Sequence, residues 1–176
     1  KKPEIVVFKN YEEYLDKLTQ LEYNGSATRG IAIPRSARKP AKVYSFLSDN
    51  LLSEVLPHEL THLLFKEIIA GLKTNALIPL WLNEGIAVYE ESGKRYEVPV
   101  RMALETGQII PIAEVVNCLD YPGDLNRRAL FYAQSASLID FLINEYGGAK
   151  FFAFSRKLVC GGKNIDEALF STFYPR

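Results

Sequence analysis

The feature that most constrains this chain is the placement of its histidines. The 176 residues contain two histidines, and both lie in one run, "PHELTHLL", in which Glu59 directly follows His58 and His62 comes four positions after it. Residues at positions i and i+4 share one face of an α-helix, with Cβ atoms about 5–6 Å apart. The run therefore predicts a helix on which both imidazoles reach one Zn²⁺ ion, at Zn–N distances of about 2.0–2.1 Å.

Glu59 has a separate predicted place beside the metal. On a helix it is turned about 100° away from His58, so it lies near the ion without pointing at it. In the H-E-x-x-H pattern the natural partner of this glutamate is a water molecule on the metal. The run therefore predicts two metal ligands, His58 and His62, and one residue, Glu59, that contacts the metal-bound water.

Two histidines leave a catalytic zinc one protein ligand short, because such sites have three protein ligands and one open position. The chain has no third histidine, so the third ligand is predicted to be a carboxylate. Glu84, in the run "PLWLNEGIAVYEE", is the candidate, because an unpaired carboxylate between Leu82 and Ile86 would be costly to bury. Glu90 and Glu91 are rivals at the polar end of the same run, where a solvated helix end is the favoured interpretation.

Strands come first along the chain and helices follow, which predicts an α+β fold with a small sheet packed on helices. Strands are predicted at 5–8, 31–33 and 43–47, with a turn at 24–26. Strand 43–47 is either a sheet edge that binds an extended peptide or an ordinary interior strand. The predicted helices span 11–22, 48–70 (capped by Ser48 or Asp49 and ended by Gly71), 79–91, 100–106, 127–146, 150–159 and 165–173. Pro57 predicts a local kink in the second of them.

Composition bears on several other classes of function. Lys+Arg and Asp+Glu both number 21, so no net charge favours nucleic acid as a partner. The apolar runs are far shorter than the roughly 20 residues of a membrane span. Cys118 and Cys160 form one disulfide or none, which leaves the redox compartment open. The chain begins at Lys1 without Met, so we expect it to be a piece of a longer protein. An extracytoplasmic or secreted location is left open. The oligomeric state is not predicted.

The run "HELTH", followed by the glutamate of "WLNEGIAVY", resembles the gluzincin zinc metallopeptidases, the superfamily of thermolysin and aminopeptidase N with its peptidase MA-like domains. "YAQSASLIDFLINEYGG" also resembles a tyrosine-bearing helix of these families, and the resemblance covers about residues 30–160. It implies one catalytic domain over 1–176 with a zincin-like or thermolysin-like fold. A small mixed sheet packed on a zinc-binding helix pair would occupy 1–93, and a helical lobe would occupy 94–176.

The same resemblance implies a zinc peptidase that cleaves a peptide or protein substrate with a metal-activated water. His58, His62 and Glu84 match the ligands of one Zn²⁺, and Glu59 matches the general base. Tyr132 matches the tyrosine whose hydroxyl donates to the oxyanion; the alternative for it is a core tyrosine. The alternative function is a gluzincin-fold domain that binds zinc in a non-catalytic binding or regulatory role. The presence of Glu59 and of three ligands, where structural zinc sites have four, favours the peptidase.

Two departures from these families matter. The chain has no G-x-M-E-N-like stretch, so the resemblance does not support aminopeptidase action. Val88 stands four residues after Glu84, where thermolysin-like enzymes have an aspartate that orients a ligand histidine. Metal-ligating histidines almost always donate their second ring N–H to such a partner. Another residue must therefore support the histidine here.

Overall fold

The computed structural model describes residues 2–23, 28–36, 39–70, 77–161 and 164–174. Its α+β class agrees with the prediction: a small three-stranded sheet is accompanied mostly by helices. The predicted turn at 24–26 and the predicted helix end at Gly71 lie outside the described residues. The elements are β1 (Glu4–Phe8), α1 (Tyr11–Gln20), β2 (Gly30–Ile33), β3 (Lys42–Phe46), α2 (Leu56–Ala70), α3 (Leu80–Tyr89), α4 (Glu97–Glu105), α5 (Ile112–Val116), α6 (Leu125–Tyr146), α7 (Gly148–Cys160) and α8 (Ile165–Phe173).

The chain divides into two compact units. The first unit comprises residues 1–66 and 90–92, and the second comprises residues 67–89 and 93–176. The single catalytic domain with an internal boundary at residue 93 stays a prediction. Within the described part of the chain, no helix combines the length and the apolar character that a membrane crossing requires.

The sheet of the first unit has the order β1-β3-β2, with β1 parallel and β2 antiparallel to β3. Successive side chains of a strand point to opposite faces. Tyr44 accordingly packs with Tyr14 and Leu18 of α1, while Val43 packs with Leu63 of α2. Both faces of β3 are thus covered. Because β3 also pairs with a strand on each side, it is an interior strand of the sheet. The edge interpretation of this strand is wrong, and the described edge strands are β1 and β2.

The helix that carries the histidines begins irregularly. Residues Leu51–Val55 form a π-helical turn, in which the Val55 N–H bonds to the Asn50 carbonyl at 3.2 Å, and α2 follows directly. Asn50 occupies the N-cap position without a side-chain capping bond, so the predicted cap at Ser48 or Asp49 is wrong. Pro57 is the second residue of α2, which directly follows this irregular segment, while the predicted kink itself stays a prediction.

Pro57 also leaves a carbonyl group to another partner. In a regular α-helix the N–H of residue 57 would bond to the carbonyl of Ser53, but proline has no N–H. The Ser53 carbonyl instead accepts a hydrogen bond from the N–H of Ser92 at 2.8 Å. This bond ties residues 90–92 to the π-helical turn that precedes α2.

The second unit is helical, and its closest packing is between α3 and α6. A Cβ atom on Gly85 would lie 2.8 Å from both the carbonyl carbon and the oxygen of Ser135, so only glycine allows this approach. Trp81 and Leu82 of α3 are fully buried, as are Phe131 and Ile139 of α6. The helix α3 is therefore held tightly on α6 next to Glu84. Both cysteines of the chain are free thiols.

Candidate metal centre

The first two turns of α2 carry His58, Glu59 and His62. The centroids of the two imidazole rings lie 4.7 Å apart, with an angle of 84° between the ring planes. The two rings are thus neighbours, as the i, i+4 spacing predicts. Glu59 is buried, and both histidines are half-buried.

Strand β2 begins directly against Glu59. A Cβ atom on Gly30 would lie 2.9 Å from Cγ of Glu59 and 2.8 Å from Cγ1 of Val55. Real Cβ atoms essentially never approach other atoms this closely. Any larger residue at position 30 would therefore displace Glu59, Val55 or the strand itself.

The start of β2 is tied to the π-helical turn by polar contacts. The Arg29 guanidinium donates to Oε2 of the buried Glu54 at 2.9 Å, and the Asn50 side-chain amide donates to the same oxygen at 2.9 Å. On the other side, the Ser45 hydroxyl donates to the Arg29 carbonyl at 2.8 Å. These contacts hold the backbone on which Gly30 meets Glu59. These contacts are not predictable from the sequence, because no local pattern pairs residues 29 and 54.

Glu91 supplies the partner for a histidine that Val88 cannot provide. Its Oε1 lies 2.8 Å from Nδ1 of His58, and the two side chains are only 15% and 19% exposed. With the proton on Nδ1, Glu91 accepts the hydrogen bond and the ring lone pair is on Nε2, which is the arrangement usual for metal-binding histidines. The prediction of a solvated Glu91 is wrong, because residues 90–92 are bonded back to Ser53. Glu90 is exposed, as predicted.

Glu84 lies on α3 in the second unit and is only 4% exposed. Its Oε1 accepts a hydrogen bond from the Tyr121 hydroxyl at 2.8 Å and a longer one from the Asn83 amide at 3.2 Å. Burial of this carboxylate agrees with the argument that selected it. Tyr121 was not predicted, since a tyrosine in the loop between α5 and α6 has no distinguishing local pattern.

Tyr132 lies on α6 and is half-buried. Its ring centroid is 6.1 Å from that of Tyr121, at an interplanar angle of 65°, and 6.0 Å from that of Phe131. Tyr132 is therefore next to the tyrosine that contacts Glu84. Its role as an oxyanion donor stays a prediction.

Three predicted ligands come together. His58, His62 and Glu84 each offer one ligand atom, and these atoms all lie within 4.8 Å of one another. Two imidazole nitrogens and one carboxylate oxygen form a donor set that suits zinc and leaves one position open. The burial of Glu84 adds to the fit, because a buried carboxylate needs charge compensation.

One comparison with known proteins assigns the chain to a family. A family model described as the peptidase MA superfamily matches residues 21–174. Searches of curated proteins and of solved structures gave no significant match. The family match covers most of the chain and includes every residue of the candidate centre.

Proposed function

Because the chain belongs to the peptidase MA superfamily, we propose that it is a zinc-dependent peptidase that hydrolyses bonds in peptides or proteins. The observation that carries the proposal is the grouping of His58, His62 and Glu84, with their ligand atoms within 4.8 Å of one another. Glu59 lies beside the two histidines on the same helix. A structural zinc site would not need this additional carboxylate.

Each residue then has a chemical task. His58, His62 and Glu84 would hold a zinc ion, which would supply Lewis acidity and lower the pKa of a bound water molecule toward about 7. Glu59 accepts the proton of that water as general base and later passes it to the leaving amine. The Tyr132 hydroxyl donates a hydrogen bond to the oxyanion that develops on the substrate carbonyl. Glu91 holds the His58 ring in the orientation that presents Nε2.

Strand β2 is the surface that we propose for the substrate backbone. It is an edge strand of the described sheet, and an extended peptide can add to such an edge through main-chain hydrogen bonds. Its first residue, Gly30, packs on Glu59. A peptide paired with β2 would therefore run close to the general base.

The test uses the substitution Glu59→Gln, which keeps the shape of the side chain and removes its basicity. We expect zinc binding to be retained and hydrolysis of a peptide library to fall by at least about 10²–10⁴-fold, the usual contribution of a general base. The exposed Glu90→Gln serves as the matched control and should cleave like the unsubstituted chain. Normal cleavage by Glu59→Gln would rule out the mechanism.

A second arm decides between the peptidase and the non-catalytic zinc-binding domain. The chain is digested against the same peptide library with and without a metal chelator, after its zinc content has been measured. Cleavage that disappears with chelator and returns with Zn²⁺ supports the peptidase. Stoichiometric zinc without chelator-sensitive cleavage would favour the binding or regulatory role.

A further inference from the structure

The loop between α5 and α6 places a tyrosine hydroxyl on the predicted carboxylate ligand. Tyr121 donates to Oε1 of Glu84 at 2.8 Å, and the Asn83 amide donates to the same oxygen at 3.2 Å. A carboxylate oxygen has about two lone-pair sites. The two donors therefore occupy both lone-pair sites of Oε1, so a metal ion would bind the other oxygen of Glu84, Oε2.

Tyr121 is itself held in place on α6. The guanidinium carbon of Arg128 lies 5.9 Å from the centroid of the Tyr121 ring, in the range of a cation–π contact. Arg128 also donates from Nε to the carbonyl of Pro122 at 2.9 Å. The ring of Tyr132 packs edge-on against the ring of Tyr121. The phenol is thus fixed although its side chain is half-exposed.

We propose that Tyr121 is a positioning residue, which orients Glu84 so that this carboxylate binds the metal through one oxygen. The inference rests on the proposed function, since it requires Glu84 to be a ligand. The hydrogen bond from Tyr121 to Oε1 fixes the orientation of the carboxylate, so the Glu84 side chain loses less conformational freedom when the metal binds. Partners of this kind typically contribute about 10–100-fold to metal affinity or activity. In this proposal Tyr121 acts through Glu84, whereas Tyr132 is the tyrosine predicted to contact the substrate.

The experiment compares the metal affinity of Tyr121→Phe with that of the unsubstituted chain. Phenylalanine keeps the ring that contacts Arg128 and Tyr132 and removes only the hydroxyl. The dissociation constant for Zn²⁺ is measured by competition with a chromophoric chelator, and we expect it to rise about 10–100-fold. The visible absorption spectrum of the Co²⁺-loaded chain should also change, because the geometry of the carboxylate ligand changes.

Two other tyrosine substitutions sharpen the result. Tyr174→Phe removes a hydroxyl that lies 3.0 Å from the hydroxyl of Tyr146, and it should leave both the zinc affinity and the cobalt spectrum unchanged. Tyr132→Phe should lower kcat while the zinc affinity stays at the value of the unsubstituted chain. Thermal unfolding of the metal-free variants shows whether each one is folded.

The outcomes separate this inference from the proposed function. If the unsubstituted chain binds no Zn²⁺, the proposed function is overturned together with the inference. If it binds Zn²⁺ and folded Tyr121→Phe binds equally well with the same cobalt spectrum, only the inference is overturned. A loss of cleavage in that variant without any change in metal binding would likewise overturn it, and would indicate that Tyr121 acts on the substrate.

Discussion

The region around α2 and the region around α3 hold the side chains of the candidate metal centre by different means. In the first, His58 meets the carboxylate of Glu91, and Glu59 packs against the backbone at Gly30. In the second, Glu84 accepts hydrogen bonds from the neutral donors Tyr121 and Asn83. An imidazole that donates a hydrogen bond from its second ring N–H needs an acceptor, whereas a carboxylate needs donors. The chemistry of the supported group thus decides the chemistry of its partner.

The largest expected effect comes from the packing on Glu59. Gly30→Ala adds a Cβ atom 2.8 Å from Cγ1 of Val55 and 2.9 Å from Cγ of Glu59, and we expect Glu59, the proposed base, to move. A displacement of about 1 Å can lower a rate roughly 10²-fold, and we expect a loss of this size in kcat with little change in zinc affinity. Steady-state cleavage and chelator competition on the same preparation measure the two effects.

Gly148→Ala is the matched control, because a Cβ atom at Gly148 meets nothing within 4 Å. It should cleave like the unsubstituted chain. If Gly30→Ala is folded and equally active, packing does not position Glu59. If both kcat and zinc affinity fall together, β2 supports the whole centre and the contrast between the two regions is lost.

The next effect concerns the charged partner of His58. Glu91→Gln keeps an acceptor oxygen near Nδ1 but removes the negative charge. We expect the zinc affinity to fall by about 10–100-fold, as is typical for carboxylate partners of ligand histidines. Competition titration with a chelator measures it. The neighbouring Glu90→Gln, which changes an exposed carboxylate, should have no effect.

Combining Glu91→Gln with Tyr121→Phe tests whether the two supports are independent. Substitutions without shared partners usually have additive free-energy effects, so the two losses in affinity should multiply. A double variant no worse than either single one would mean that the two residues support the same ligand geometry, contrary to the distinction between the regions.

The smallest expected effect belongs to Pro57. Pro57→Ala restores an N–H that competes with Ser92 for the Ser53 carbonyl, and it relaxes the tie to residues 90–92. We expect a fall in zinc affinity smaller than that of Glu91→Gln. We also expect a loss of roughly 0.4–1 kcal/mol in the free energy of unfolding, because the unfolded chain gains freedom when proline is removed.

Chelator competition and urea unfolding of the metal-free chain measure the two quantities for Pro57→Ala. A loss of stability with an unchanged zinc affinity would show that residues 90–92 hold Glu91 without help from the bond to Ser53.

Much of the candidate centre could be predicted because its signals are local. The spacing of His58 and His62 implies neighbouring rings on any helix, and the rings are indeed neighbours. Glu84 was selected because its apolar neighbours imply burial, and it is buried. Strand β3 was found, but not its interior place, since the order of strands depends on pairings between distant segments. The prediction of a solvated Glu91 was wrong for the same reason. The helix α3 ends at Tyr89, and helical periodicity does not predict where the chain goes beyond that residue.

The sequence by itself determined the helix that presents the two histidines, and it predicted the donor types. Both follow from covalent spacing and helical periodicity, which act over a few residues. The family was predicted from the resemblance of the motifs, and the family match confirmed it. Only the tertiary structure decided which residues support the donors: Glu91 for His58, Tyr121 for Glu84 and the backbone at Gly30 for Glu59. Such partners are distant in sequence, and their contacts exist only once the packing of the sheet and helices has brought those segments together.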